Sequence, residues 1–424
     1  MLTQAALYLA TCPKSNSTLC FFDALKAVEE EEAHVPNHLR DSSRDSEGFG
    51  HGKGYMYPHA YKDHWVAQQY LPDTLNGRVF YNPGNMGYEK TIQQEVLSRR
   101  ELYIAEMLQS ENPHATEINL YNNPQPITSM SITAPQENLT FSPGDNKRTS
   151  IQQTWQQRTE SNRTDFLLSV RNATVEHANI LRHHRNLIMQ ADDGLLLWDI
   201  WRKSPEGVTA GICRNKENMH ILMQYASTLE TTDRPILTLN TESLCDIVFD
   251  RIFYKNPVTT KESIQNLVQE LIAMQTYFAP QASIIISQNI PNKAQRLAHI
   301  LTNNQTPYTH IPIPHNLLSA EEAFYTDNTN PLFNWTDSDI THAIQTALPT
   351  AHIENTDIIY TEKRHIPPQT IAKWFDTAQS PYATFMHTQL NDTHFKTLQT
   401  LFETAAQKPL PWKTHTTVYT VTLA

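Results

Sequence analysis

Glycine is scarce in this chain, with only 11 among 424 residues. Because glycine allows left-handed backbone and close approaches that a Cβ forbids, any glycine-rich cradle must draw on very few positions. Cysteine is scarcer still: Cys12, Cys20, Cys213 and Cys245 are widely scattered, which excludes a disulfide framework and suits a reducing cytosol. No window approaches the ~18 apolar residues of a membrane span. The N-terminus has no basic start followed by an apolar stretch. The expectation is a cytoplasmic chain with no membrane contact. Positive charge is also in deficit. Against 44 Asp and Glu stand 33 Lys and Arg, a formal charge of −11. That excludes a globally basic nucleic-acid surface and leaves direct DNA binding unsupported by net charge, without excluding a local basic patch.

What is present is concentrated near the front. Four glycines (Gly48, Gly50, Gly52, Gly54) fall within seven positions and run into Tyr55, Tyr57, His59, Tyr61, His64, Trp65 and Tyr70. In a chain so poor in glycine, this clustering predicts an ordered, tightly turned loop. A phosphate cradle would need G-x-x-x-x-G-K-[ST]. Gly48 to Gly52-Lys53 is one residue short, and Gly54 stands where the hydroxyl belongs. A zinc site built from His51, His59 and His64 would lack the usual cysteine partners, since Cys12 and Cys20 form no C-x-x-C pair. No metal is expected. The plainer reading is an ordered loop that packs its aromatics against helices or a neighbouring subunit.

The motifs here are specific. Ala6-Leu7-Tyr8-Leu9-Ala10-Thr11 and Pro13-Lys14-Ser15-Asn16-Ser17 are followed in order by His38-Leu39-Arg40-Asp41 and Gly50-His51-Gly52-Lys53-Gly54-Tyr55. Tyr57-Pro58-His59, Gln69-Tyr70-Leu71-Pro72, Tyr81, Pro83 and Gly87-Tyr88-Glu89-Lys90 complete the series. Together they resemble the C-terminal domain of the RarA/MgsA family, AAA+ ATPases of replication-associated recombination. The resemblance implies a helical segment that makes tetramers, with Gly50, His51, Lys53, Tyr55, Tyr57, His59, Trp65 and Tyr70 at the subunit interface. It also implies as partners an AAA+ ATPase core and DNA replication proteins. In that family the ATPase core, its lid and the first helices of this domain would all lie before Met1, and this sequence carries none of them.

Along the chain, helices are expected at Leu2 to Ala10, Thr18 to Glu32 and Tyr88 to Gln109, the last with apolar Ile92, Val96, Ile104 and Leu108 at helical spacing. Residues 1–110 form the first expected domain. Residues 111–150, rich in Pro, Asn, Thr and Ser without periodicity, read as a linker. Residues 151–424 form the second domain, in which helical and strand patterns alternate. Helices are expected at Ile151 to Arg182, Leu195 to Arg202, Lys216 to Ser227, Lys261 to Phe278, Ala320 to Tyr325, Asp337 to Ala347, Pro368 to Ala378 and Asp392 to Ala406. Strands are expected at Asn186 to Gln190, Val208 to Cys213, Ile236 to Leu239, Asp246 to Phe253, Ala282 to Gln288 and Thr416 to Thr422. Such alternation predicts an α/β domain with a mostly parallel sheet.

The first strand and turn, Leu187 to Leu196, look like those of a class I methyltransferase, and more closely like the domain fused behind RarA in some bacteria. Arg182-His183-His184-Arg185, Arg214-Asn215, Ala320 to Tyr325, Asn334-Trp335 and Pro411-Trp412-Lys413 are also similar to that fused domain. The resemblance implies S-adenosylmethionine as the cofactor such a scaffold would take, with Asp192, Asp193, Gly194 and Glu217 as cofactor-binding candidates. The residues themselves argue against a working pocket. Only Gly194 remains of the glycine-rich turn, and Cys213, Arg214 and Asn215 stand where a ribose-binding carboxylate belongs. Asp192 and Asp193 read first as an ordinary turn and helix cap, ahead of a ligand role. Asn256-Pro257 is half of a methyltransferase-like motif or simply a turn. His183-His184 read as solvated or capping residues, and Trp198 and Trp201 as core. No catalytic residues can be named. The expectation is an oligomerisation and scaffold module with a degenerate methyltransferase-like domain and no cofactor; the alternative is an active S-adenosylmethionine-dependent methyltransferase.

Overall fold

The computed structural model describes residues 2–31, 34–40, 55–60, 64–75, 77–110, 163–227, 229–244, 247–303, 316–364, 366, 368–378 and 380–423. The linker expected at 111–150 and Gly50, His51 and Lys53 lie outside them, as does the 151–162 portion of the expected Ile151 to Arg182 helix.

The front of the chain is helical. α1 (Leu2–Thr11) and α2 (Cys20–Glu30) flank a short turn, and α3 (Gly87–Ser110) follows. The turn at Pro13 to Ser17 and the start of α3 meet through one carboxylate. Glu89, in the first turn of α3, accepts from Ser15 Oγ at 2.7 Å, Gly84 N at 3.0 Å and Tyr81 Oη at 3.1 Å, and also from Ser17 Oγ. Those hydroxyl and amide donors hold its pKa down to about 2. Gly87 is left-handed at φ 59°, and a Cβ there would stand 3.1 Å from Pro13 Cγ, so this junction needs glycine.

The second half is a seven-stranded sheet in the order β3-β2-β1-β4-β5-β7-β6. Its strands are β1 (Arg185–Ile188), β2 (Val208–Ile212), β3 (Ile236–Thr238), β4 (Phe249–Lys255), β5 (Phe278–Gln288), β6 (His352–Arg364) and β7 (Leu410–Thr422). β1 to β5 are parallel, and β7 runs antiparallel between β5 and β6. This is the class I methyltransferase arrangement. One row of the register, Ala210, Leu187, Ile252, Ile284, Val421 and Ile353, crosses the sheet from β2 to β6. It faces α7 (Lys261–Ala273) and α10 (Asp337–Ala347) through Leu267, Leu271, Ile340 and Ile344.

The neighbouring residues Ile188, Phe253 and Ile285 face the other way, where α4 (Arg163–His177), α5 (Leu195–Lys203) and α6 (Lys216–Ala226) cover them. Burial on both faces is why the inner strands read as continuous apolar runs. α3 joins this layer: Ile104 and Leu108 pack in one core with Leu197, Trp198 and Leu222. A third core gathers α8 (Leu297–Asn303), α9 (Leu317–Tyr325), α11 (Pro368–Trp374), α12 (Pro381–Gln389) and α13 (Asp392–Ala405) around Phe324, Tyr382, Trp374 and Trp412.

Three elements were not expected from the sequence, β6, α8 and α12, and β7 begins six residues earlier than the expected Thr416. β6 is an edge strand with mostly exposed side chains, so it carries little hydrophobic alternation to betray it. Of the solvated or capping roles expected of His183-His184, His184 takes the capping one and is buried. Its Nδ1 accepts from Leu181 N at 3.1 Å, and burial together with the nearby Arg251 charge lowers its pKa.

Candidate functional site

In an open parallel sheet the ligand crevice lies beyond the carboxyl ends of the strands where their order reverses, here between β1 and β4. The turn after β1 carries two left-handed residues, Gln190 at φ 61° and Gly194 at φ 67°. Asp192 Oδ1 accepts from the backbone of Arg214 at 2.7 Å and Asn215 at 3.0 Å, so it pins the turn after β2. Asp193 Oδ1 accepts from Leu195 N at 2.9 Å, capping α5, while its Oδ2 pairs with Lys255 Nζ at the end of β4. The Asp193 and Lys255 side chains are 14% and 10% exposed. Over Gly194, an added Cβ would stand 2.7 Å from both Leu222 Cδ2 and Trp198 Nε1.

Glu217 is exposed in the first turn of α6, where its N–H donates to the capping Asn215 Oδ1 at 2.8 Å. Cys213, buried at the end of β2, has its thiol pushed up to about 12 by burial and by the Asp192 and Asp193 charges. It is therefore neutral and not a nucleophile at ordinary pH.

The ends of β4 and β5 are tied to each other. Asn256, left-handed at φ 47°, donates its N–H to Ser287 O and accepts from Asn289 N, each at 2.8 Å. Asn256-Pro257 thus makes the strand exit. α4 lies over these ends with Phe166 and Leu167, and the cavity left beneath it has a volume of about 10 Å³, room for about one water. Of the four candidates, Asp192 and Asp193 are engaged by backbone N–H groups and Lys255, Gly194 is overlaid by the Trp198 indole, and Glu217 is exposed at the start of α6. One feature of the same turn is unsatisfied. Among the described residues, Trp198 Nε1, Gln190 Oε1 and both amide atoms of Asn218 are buried without a hydrogen-bond partner.

In the front segment, Gln68 organises the aromatic loop. Its amide accepts from Met56 N at 3.0 Å and donates to Met56 O at 2.5 Å and Tyr70 Oη at 2.9 Å. His38 Nε2 lies 2.7 Å from Gln69 O. This clamp leaves Tyr55, Tyr57 and Tyr70 exposed at the surface. The His59 ring packs against Tyr57 and His64 at 5.1 and 5.2 Å, and Trp65 lies half-buried beneath the Arg99 guanidinium. Among the described residues no three His, Cys, Asp or Glu side chains come together as metal ligands. α3 is bound to the sheet half by Glu101, which pairs with Arg202 of α5 and accepts from Tyr225 Oη at 3.4 Å. Sequence reasoning missed Gln68, Glu101 and the role of Lys255. Only Lys255, a charge following Ile252-Phe253-Tyr254 in a buried strand, left a readable signal.

The two halves therefore define a composite class: a helical segment docked on a class I methyltransferase-like sheet. Residues 1–100 match the family described as MgsA AAA+ ATPase C terminal. Replication-associated recombination protein A of Bacillus subtilis (strain 168) is 38% identical over 97 residues, 22% of this chain and 23% of that protein. The protein of the same name from Haemophilus influenzae is 32% identical over 104 residues, 24% of this chain and 23% of that one. The chain thus spans about a quarter of the length of these relatives.

Among solved structures, a cyclopropane-fatty-acyl-phospholipid synthase-like protein from Lactobacillus casei is 13% identical with a TM-score of 0.36. That alignment covers 67% of this chain and 96% of that one. The plantazolicin methyltransferase BpumL, solved with SAH, is 14% identical with a TM-score of 0.32, over 66% and 92% of the two chains. The fold assignment rests on strand order, not on these scores.

Proposed function

We propose that this chain is an assembly and scaffold module of RarA-type replication and recombination machinery, working in the cytoplasm, in which the methyltransferase-like domain has lost its cofactor. The second part is supported by the turn after β1, where Lys255 pairs with Asp193 and Trp198 and Leu222 overlie Gly194. The assembly role is supported by the bare apolar surface of the first two helices. No residue of α1 is buried and only Ala27 of α2 is, while Tyr8, Phe21 and Phe22 are 71%, 62% and 64% exposed. A surface of that kind marks an interaction site. A homo-oligomer, tetrameric by resemblance, would cover it together with Tyr55 and Tyr57. An AAA+ ATPase core and replication proteins are the further partners in this reading, and residues 1–110 and 151–424 are its two units.

Two measurements test it. Light scattering should give an oligomer at micromolar concentration that Phe21→Ser with Phe22→Ser disperses; a monomer at every concentration would remove the assembly role. Calorimetry with S-adenosylmethionine should give no heat and no thermal shift. The second reading, an active methyltransferase, is favoured by the unpartnered Trp198 and Asn218 atoms, and saturable cofactor binding abolished by Gly194→Val would establish it instead.

A further inference from the structure

We infer that the front segment contains a binding site for a planar ring carrying a phosphate, in the chemical class of a nucleoside monophosphate. Between the aromatic loop and α3 lies a cavity of about 240 Å³, lined by Trp65, Tyr70, Arg78, Arg99, Arg100 and Tyr103 above an aliphatic floor of Val66 and Ile104. That volume suits a single nucleobase with its sugar, at the small end of ligand pockets. Three aromatic side chains supply flat apolar surface for stacking.

Three guanidinium groups face the same space, and among the described residues no acidic side chain lines it. Arg99 lies over the Trp65 ring at 5.7 Å and has an exposed carboxylate partner, Glu95 at 2.6 Å. Such a pair is weak in water. Arg100 spends its donors on neutral acceptors, Tyr81 O at 2.6 Å and Asn82 Oδ1 at 3.1 Å. Exposed Arg78 lies against the Phe80 face at 5.6 Å. A locally cationic mouth in a chain of net charge −11 selects an anion, and guanidinium forks match phosphate oxygens in geometry as well as charge. The loop wall is prefixed, because Gln68 holds both Met56 and the Tyr70 hydroxyl, so binding orders little that is not already ordered. This inference stands apart from the proposed function: it needs neither the assembly surface nor the state of the methyltransferase-like crevice.

The test is calorimetric titration of the full chain at low salt with AMP, adenosine, inorganic phosphate, S-adenosylmethionine and a 5′-phosphorylated thymidine hexanucleotide. AMP should bind, and adenosine or phosphate alone should bind at least about tenfold more weakly, each lacking either the charge or the stack. S-adenosylmethionine, with its cationic sulfonium and ammonium, should not compete for the site. Arg78→Ala should weaken AMP about tenfold with an unchanged melting midpoint, Arg78 being exposed. Displacement of AMP by the hexanucleotide identifies a strand end as the source of the ligand, and its failure to displace identifies a free mononucleotide. No heat with AMP at millimolar concentration, phosphate binding as tightly as AMP, or Arg78→Ala binding as well as the parent would each overturn the site.

Discussion

Removing Arg202 should loosen the junction between the two halves of the molecule. Glu101 of α3 is only 2% exposed, and Arg202 of α5 is its partner cation, at 30% side-chain exposure with a second tie to Asp199 at 3.2 Å. The Glu101 carboxyl is pushed upward by burial, against the pull of the Arg202 charge. Its other oxygen, Oε2, has no partner, so the pair is already under-satisfied. In Arg202→Ala the carboxylate is left buried without its countercharge, a change that costs about 3–5 kcal/mol. That is a large share of the ~5–15 kcal/mol that holds a typical native state together.

The sign with pH follows. Losing Arg202 raises the folded-state pKa of Glu101 further above its unfolded value of about 4.3. The deficit should be small near pH 4 and should grow as pH rises toward 8. Urea denaturation followed by tryptophan fluorescence, at both pH values, measures it. Because the penalty belongs to the stranded charge and not to the lost pair, Glu101→Gln with Arg202→Met should recover most of it. A loss below about 0.5 kcal/mol at pH 8 would mean that the pair behaves as a surface ion pair and that α3 is not held by it.

Two further outcomes are expected. Glu321, fully buried, accepts from Leu297 N and Ala298 N at 2.8 Å and Tyr382 Oη at 2.9 Å, and burial raises its pKa to about 7. Since that lies above the unfolded value, stability should decline as pH rises from about 4.5 through 7, by up to about 3 kcal/mol. Glu321→Gln should flatten that slope in urea midpoints, and an unchanged slope would remove Glu321 as its source. Gly194→Ala should cost about 2 kcal/mol in thermal denaturation, from the left-handed φ of 67° and the 2.7 Å approaches to Leu222 and Trp198; a melting midpoint equal to the parent's would contradict the tight overlay of that turn.

The parts of the fold that were legible in the sequence share one physical cause. Leu187-Ile188 and Ile284-Ile285-Ile286 are buried on both faces of the sheet, so their composition alone marks inner strands. β6 escaped notice because pairing with β7 is made by backbone groups, which leave no trace in side-chain pattern. The scarcity of glycine in the turn at Gly194 was readable. The residue that engages Asp193 was not, because Lys255 is 62 positions away. The same separation in sequence hides Glu101 from Arg202, 101 positions on. Gln68 is only 12 residues from Met56, but a side chain that mimics a strand's backbone bonding has no local signature.

The open rim of the sheet bears on how copies of this molecule can associate. β6 runs 13 residues along that rim, an invitation to strand-by-strand polymerisation. It carries Glu354, Asp357, Glu362, Lys363 and Arg364 along its length, and ionic side chains at such a border discourage neighbouring sheets from fusing. Growth into fibres is thereby disfavoured along that border, while the greasy exposed side chains of α1 and α2 suit closed, countable complexes.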